Sequence, residues 1–173
     1  MQVATLVIAI LSSVVAAASL TWNIVSWQLA AGRGTAHLEV GVVMSDGVFM
    51  TFDVSPDWRA HARKTMEDND LSGSLVFFVR VRNMGRAPIT VQNCGFVTST
   101  GERVGTIGRP HWGPKFSARI EAHGQEIFGY DADAITEMIN NFKSLQKAAQ
   151  VCINARVDLG TGKHVDSKTA LRL

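Results

Sequence analysis

The chain has 173 residues, with 17 Lys and Arg against 15 Asp and Glu for a net charge of +2. That mild balance argues against nucleic acid as a partner, because binding there needs clustered cations that displace counterions from phosphates. All of these charges lie beyond Gly32, so the chain divides into an uncharged N-terminal stretch and a water-compatible remainder of one-domain size.

The uncharged stretch is most apolar from Val3 to Thr21. A helix rises 1.5 Å per residue, so about 20 such residues cross a hydrocarbon core of about 30 Å. Residues 1–32 are therefore read as a transmembrane helix with a juxtamembrane extension. A cleaved secretory signal is the alternative, since Ala16-Ala17-Ala18 mimics a cleavage site, but Met1-Gln2 offers no positive n-region. Trp22 and Trp27 follow the apolar run as interfacial anchors, with Arg33 the first charge beyond them. Packing against the following domain is the plainer role for the two rings.

Ala9, Ser13, Ala17 and Thr21 recur four apart on one helical face. Small residues at that spacing let helix backbones approach in lipid, which makes these four the candidates for self-association or for pairing with another membrane helix. Arg33 alone carries the orientation signal and assigns the domain to the cytoplasmic side of a bacterial cytoplasmic membrane.

Residues 33–173 form the second unit. Thr35 to Met44 alternates with Leu38, Val40 and Val42 on one face, the period of a half-buried strand. Ser45-Asp46-Gly47 is turn chemistry, and Val48 to Val54 returns as the other arm of a hairpin. Ser55 to Ser74, broken by Pro56 and Gly73, reads as a long polar connection with a helical turn around Trp58 to Lys64.

Leu75 to Asn83 is the strongest strand, with Leu75, Phe77, Val79 and Val81 inward and Phe78, Arg80 and Arg82 toward water. Met84 to Pro88 turns the chain. Ile89 to Val97 returns, with a change of parity that predicts a bulge near Asn93 and buries Cys94. After a turn at Ser99 to Glu102 comes a Gly- and Pro-rich passage, Gly105 to Pro114, in which Trp112 is expected to pin into the core.

Arg119 to Phe128 reads as strand, glycine turn and strand. Asp131 or Asp133 caps a helix with Ile135, Met138, Ile139, Phe142 and Leu145 on its apolar face. Val151 to Leu159 points Val151, Ile153, Ala155 and Val157 inward and Cys152 outward, and Gly160 to Lys163 turns into a last strand, His164 to Leu173. Seven or eight short strands with one inserted helix predict a mainly β, two-layer antiparallel sandwich behind the transmembrane helix.

The run Arg80-Val-Arg-Asn-Met-Gly-Arg-Ala-Pro-Ile-Thr-Val91, the pair Gly95-Phe96 and the ending Ala155 to Lys163 resemble a group of uncharacterised bacterial single-pass membrane proteins. In that group an N-terminal helix precedes an immunoglobulin-like sandwich. The resemblance covers about two thirds of the chain and implies a binding or interaction module, with no functional residue transferred. The Ser55 to Ser74 insert and the helix before Val151 depart from the simplest sandwich.

Catalytic and metal-binding patterns are sparse. The five histidines show neither HxxxH nor HExxH spacing, and Glu67-Asp-Asn-Asp70 lacks the glycine and distal glutamate of a calcium loop. No GxSxG elbow occurs, and Gly105-Thr-Ile-Gly108 lacks the Lys and Ser or Thr of a phosphate loop. Cys152 and His164 are neighbours if the final hairpin brings them together, the one arrangement that would make a thiolate nucleophile. Cys94 and Cys152 read as two free thiols, with a disulfide as the alternative in an oxidising compartment.

Arg59, His61, Arg63 and Lys64 form a cluster whose Arg59, Arg63 and Lys64 would touch anionic headgroups if its loop folds back on the bilayer, opposed by the nearby Glu67, Asp68 and Asp70, and which is otherwise a solvated face. The expected function is a non-catalytic membrane-anchored interaction module, an accessory subunit of a membrane or envelope assembly. No cofactor and no small-molecule substrate are indicated, and the partners are membrane lipid and a protein or second copy. An anchored hydrolase and a phage or prophage envelope protein are the alternatives.

Overall fold

The computed structural model describes residues 2–55, 57–70, 72–98, 101–104, 109–146 and 151–172. Pro56, the start of the Ser99 turn, the Gly105-Thr-Ile-Gly108 stretch and the terminal Leu173 lie outside the described residues. The elements in chain order are α1 (Gln2–Ala30), β1 (Gly34–Met44), β2 (Phe49–Asp53), α2 (Trp58–Asp68), β3 (Gly73–Asn83) and β4 (Ile89–Thr98). They continue with β5 (Ala118–Ile120), β6 (Gln125–Asp131), α3 (Ala132–Gln146), β7 (Cys152–Leu159) and β8 (His164–Arg172).

Within α1, Ala4 to Trp27 is long and apolar enough to cross a membrane, and none of it is buried against the rest of the chain. The other elements form two four-stranded antiparallel sheets, ordered β2-β1-β3-β6 and β5-β4-β7-β8. One apolar core lies between them. Leu38, Val40, Phe77 and Val79 come from the first sheet, and Val91, Phe96, Ala155 and Val157 from the second. Phe77 meets Phe96 at 6.1 Å and Trp58 of α2 at 4.9 Å, ring centre to ring centre.

The alternation expected for β1 and β7 is present, and Cys94 is fully buried. A register shift between Val91 and Asn93 against β7 supplies the bulge that keeps both Val91 and Cys94 inside. The β1–β2 hairpin closes through Gly47, whose φ of 83° needs glycine, and through Val48 N–H donating to Asp46 Oδ1 at 3.0 Å.

Four expectations are corrected. Phe78 is 1% exposed, because Phe49 of the neighbouring hairpin strand lies 5.2 Å from its ring, and Val43, Val76, Trp112 and Ile127 close a second apolar cluster on that outer face. Trp112 belongs to this outer cluster, so it does not enter the main core. The helical turn near Trp58 extends over 11 residues as α2, which buries Trp58 and Ala62, one turn apart on its inner face.

The strand, glycine turn and strand expected over Arg119 to Phe128 are present as β5 and β6. β5 pairs with β4 and β6 with β3, so the chain crosses from one sheet to the other through His123, which adopts a φ of 60°. In α3, capped by Asp131 Oδ1 accepting from the Asp133 and Ala134 N–H groups at 3.0 and 2.8 Å, Ile135 and Ile139 are buried while Leu145 is 84% exposed. The apolar face therefore ends before its last expected member.

Candidate functional site

The place where α1 meets the β domain is the most tightly specified part of the surface. Asn83, at the end of β3, is completely buried. Its Oδ1 accepts from Gly85 N–H at 2.9 Å and from Arg33 N–H at 3.3 Å. Its Nδ2 donates to the carbonyls of Ala87 at 2.8 Å, Glu121 at 3.1 Å and Ile120 at 3.2 Å. One carboxamide thus ties the helix exit, the β3–β4 turn and the end of β5 together. A buried amide whose donors and acceptor are all satisfied fixes one arrangement against its alternatives.

Main-chain contacts complete the joint. Met84 N–H donates to Arg33 C=O at 2.7 Å, and Asn83 N–H to Gly124 C=O at 2.9 Å. A Cβ at Gly85 would collide with Ala31 C=O and stand 2.6 Å from Arg33 N, and one at Gly32 would stand 2.5 Å from Ile89. Only glycine permits these backbones to approach so closely. The helix is held to the domain by packed backbone.

Beside this joint lies a cleft of about 280 Å³. Trp27, Ala31 and Gly32 line it from the helix side; Pro88 lines it from the turn before β4, Ile89 from β4 and Leu159 from the end of β7, together with Thr161 and Lys163 of the β7–β8 turn. Its walls are mainly apolar. Among the described residues Lys163 forms no ion pair.

On the helix itself, Ser13 Oγ donates to Ala9 C=O and Thr21 Oγ1 to Ala17 C=O, both at 2.9 Å. The hydroxyls of the small-residue face are satisfied internally, and Ala9, Ser13, Ala17 and Thr21 are all exposed. Trp22 and Trp27 are exposed as well, at 70% and 75%, although Trp27 also forms one wall of the cleft.

The opposite end of the domain differs. β1 begins at Gly34 opposite Asn83 and ends at Met44 opposite Gly73, so the β1–β2 turn is the far tip. There Val48, Phe49 and Met50 are 53%, 45% and 39% exposed, next to a hollow of about 390 Å³ floored by Val43, Gly73 and Trp112. β2 is an edge strand of its sheet.

α2 belongs to this far half. Arg59 Nη2 donates to Thr136 Oγ1 at 2.9 Å and to Asp133 Oδ1 at 3.2 Å, and its guanidinium lies 5.0 Å from the Trp58 ring centre. The adjacent Asp131 stands at the level of Val76 and Gly41, about 23 Å along β1 from the helix exit at ~3.3 Å per residue. Arg63 lines a separate hollow with Met66, Glu67 and Asp70, and Lys64 is exposed beside it. The basic cluster thus shares no end with α1. Arg82, Arg86 and Lys163 join Arg33 as exposed cations near the helix exit, and spacing along the sequence gave no sign of their grouping.

The cysteine pair with His164 is not assembled. Cys152 lies opposite Arg172 and His164 opposite Asp158, which separates them by about 20 Å at ~3.3 Å per strand residue. Both cysteines are free. Burial pushes the Cys94 thiol up to about 12, and burial raises its neighbour Tyr130 still further, so neither group ionises near neutrality. Among the described residues no three His, Cys, Asp or Glu side chains converge on a metal-holding arrangement.

Sequence reasoning did not single out Asn83, Gly85 or Lys163. An Asn followed by Gly and Pro in Asn83-Met-Gly-Arg-Ala-Pro88 was a visible turn signal, but the partners of its side chain lie as far away as Arg33 and Glu121. Family models, curated proteins and solved structures yield no match to the chain.

Proposed function

We propose that the chain is a membrane-anchored, non-catalytic interaction module, acting as an accessory subunit of a membrane or envelope assembly. The observation that carries this reading is the joint at Asn83: an apolar helix that the domain leaves uncovered is nevertheless held to it by a fully satisfied buried amide and glycine-mediated backbone contact. A cleavable leader has no use for such a joint, whereas an anchor that must hold a domain in one pose does. The exposed tip at Val48, Phe49 and Met50 supplies a surface for a protein partner at the end away from the bilayer. Its unpaired strand edge adds main-chain donors and acceptors.

The domain is read as an immunoglobulin-like sandwich. Setting β2 and β5 aside, β1-β3-β6 and β4-β7-β8 follow the order of strands A-B-E and C-F-G in that architecture, with α3 between the equivalents of E and F. Arg33, with Arg82 and Arg86 beside it, favours the cytoplasmic side of a bacterial cytoplasmic membrane for this end. Crosslinking in native membranes followed by co-purification tests the function. A distinct crosslinked species that diminishes on substitution of Val48 is the expected result, and a strictly solitary monomer in both crosslinked membranes and mild detergent overturns it.

A further inference from the structure

We propose that the cleft beside the joint binds one anionic phospholipid, with the phosphate at Lys163 and the start of one acyl chain against Trp27, Pro88, Ile89 and Leu159. The inference rests on the anchored reading and adds to it a specific lipid site. If α1 spans the bilayer, Trp27 and Gly32 stand where the helix leaves it, and the cleft they line opens at the level of the headgroups. A cavity there meets lipid before any soluble molecule.

The lining matches such an occupant. Apolar walls suit methylenes, while Thr161 and Lys163, both exposed in the lining, offer a hydroxyl and an ammonium that suit phosphate oxygens. The surrounding charge has the right sign. Arg82 and Arg86 are exposed at this end, and two of its carboxylates are engaged, Glu121 by Arg119 and Asp158 by Arg103, each at 2.8 Å. At about 280 Å³ the cleft holds the glycerophosphate end and the first methylenes, leaving the rest of the lipid alongside α1. The walls are preformed, because Gly85, Gly32 and Asn83 fix the distance between helix and domain, so little ordering is required on binding.

The test uses the full chain reconstituted in vesicles of phosphatidylglycerol and phosphatidylcholine in equal amounts, released in mild detergent and weighed by native mass spectrometry. One retained phosphatidylglycerol per chain is expected, reduced about tenfold by Lys163→Ala, restored by Lys163→Arg, and unchanged by Lys64→Ala, which removes an exposed cation in the far half of the domain. Equal retention of the two lipids, or equal loss in the Lys163→Ala and Lys64→Ala variants, overturns the proposal. So does displacement by soluble glycerol phosphate as effective as that by lipid, which would make the site one for free phosphate. Flotation of the same vesicles separates the two readings: chains that float but retain no lipid lose only the site, and chains that fail to float lose the anchor and the site with it.

Discussion

The two ends of the β domain solve opposite problems. At the helix exit, polar groups turn inward: Asn83 is buried and joined to five main-chain groups, and glycines at 32 and 85 let backbone pack on backbone. At the far tip, apolar side chains turn outward, with Val48, Phe49 and Met50 between 39% and 53% exposed. An inward polar hub costs stability when any partner is lost, so it specifies a pose. An outward apolar tip adds little to folding and keeps its binding energy for another molecule. The difference teaches where substitutions should unfold the protein and where they should only disconnect it.

The largest effect is expected at the inward end. Asn83→Ala strands several buried main-chain groups at once and is expected to cost about 3 kcal/mol, or about 10 °C in melting temperature. Thermal unfolding of the full chain in mild detergent measures it. A loss no greater than that of an exposed asparagine, such as Asn140, would show that the hub fixes nothing.

Gly85→Ala comes next, at about 2 kcal/mol, because its methyl group drives into Ala31 C=O and separates the helix exit from the turn. The informative comparison is Gly95→Ala. A Cβ there meets nothing within 4 Å and the residue has no positive φ, so its melting point is expected to stay within about 2 °C. Equal losses at the two positions would assign the effect to general glycine chemistry and break the contrast between the ends.

These two residues also mark what was legible in the sequence. Period-two alternation in β1, β3 and β7 is a local property, and it located the strands, the core-facing side chains and even the bulge before Cys94. Phe78 broke the pattern because its cover arrives from other segments, Phe49 across the hairpin and Trp112 from beyond β4. α2 was within reach, since Trp58 and Ala62 stand one helical turn apart and the good helix formers Arg59, Ala60, Arg63, Lys64, Met66 and Glu67 fill most of the rest. The strand, turn and strand after Arg119 were legible as elements, but not their partners, because partner choice depends on sheets assembled elsewhere. Asn83 reads in sequence as the last residue of a strand, and only folding brings Arg33, Ile120 and Glu121 to it.

At the outward end the expected stability change is small and the expected functional change is large. Val48→Lys alters a half-exposed side chain beside a turn, so stability should move by less than about 0.5 kcal/mol. The same substitution places a charge in the tip proposed to meet a protein, and the crosslinked species should fall several-fold. A destabilised variant, or a stable one that crosslinks as before, would count against the tip as a docking surface.

The smallest effect lies away from both ends, at an ion pair on the second sheet. Arg156 donates to both oxygens of Asp166 at 2.7 Å, and that hydrogen bonding holds the Asp166 carboxyl below its ordinary value. A folded-state value below the unfolded one means that the unfolded chain binds more protons on acidification. The stabilisation is therefore present above the ordinary carboxylate range, about pH 4, and is lost as the pH falls through the lowered value. With the Asp166 side chain 38% exposed, solvent screens the pair, and Asp166→Asn is expected to cost only about 0.3 kcal/mol at neutral pH. Melts of wild type and variant at neutrality and well below pH ~4 should show that small gap closing in acid. A gap that persists there would mean that the residue acts through packing along the β7–β8 edge, and that surface order in this domain is not confined to the helix exit.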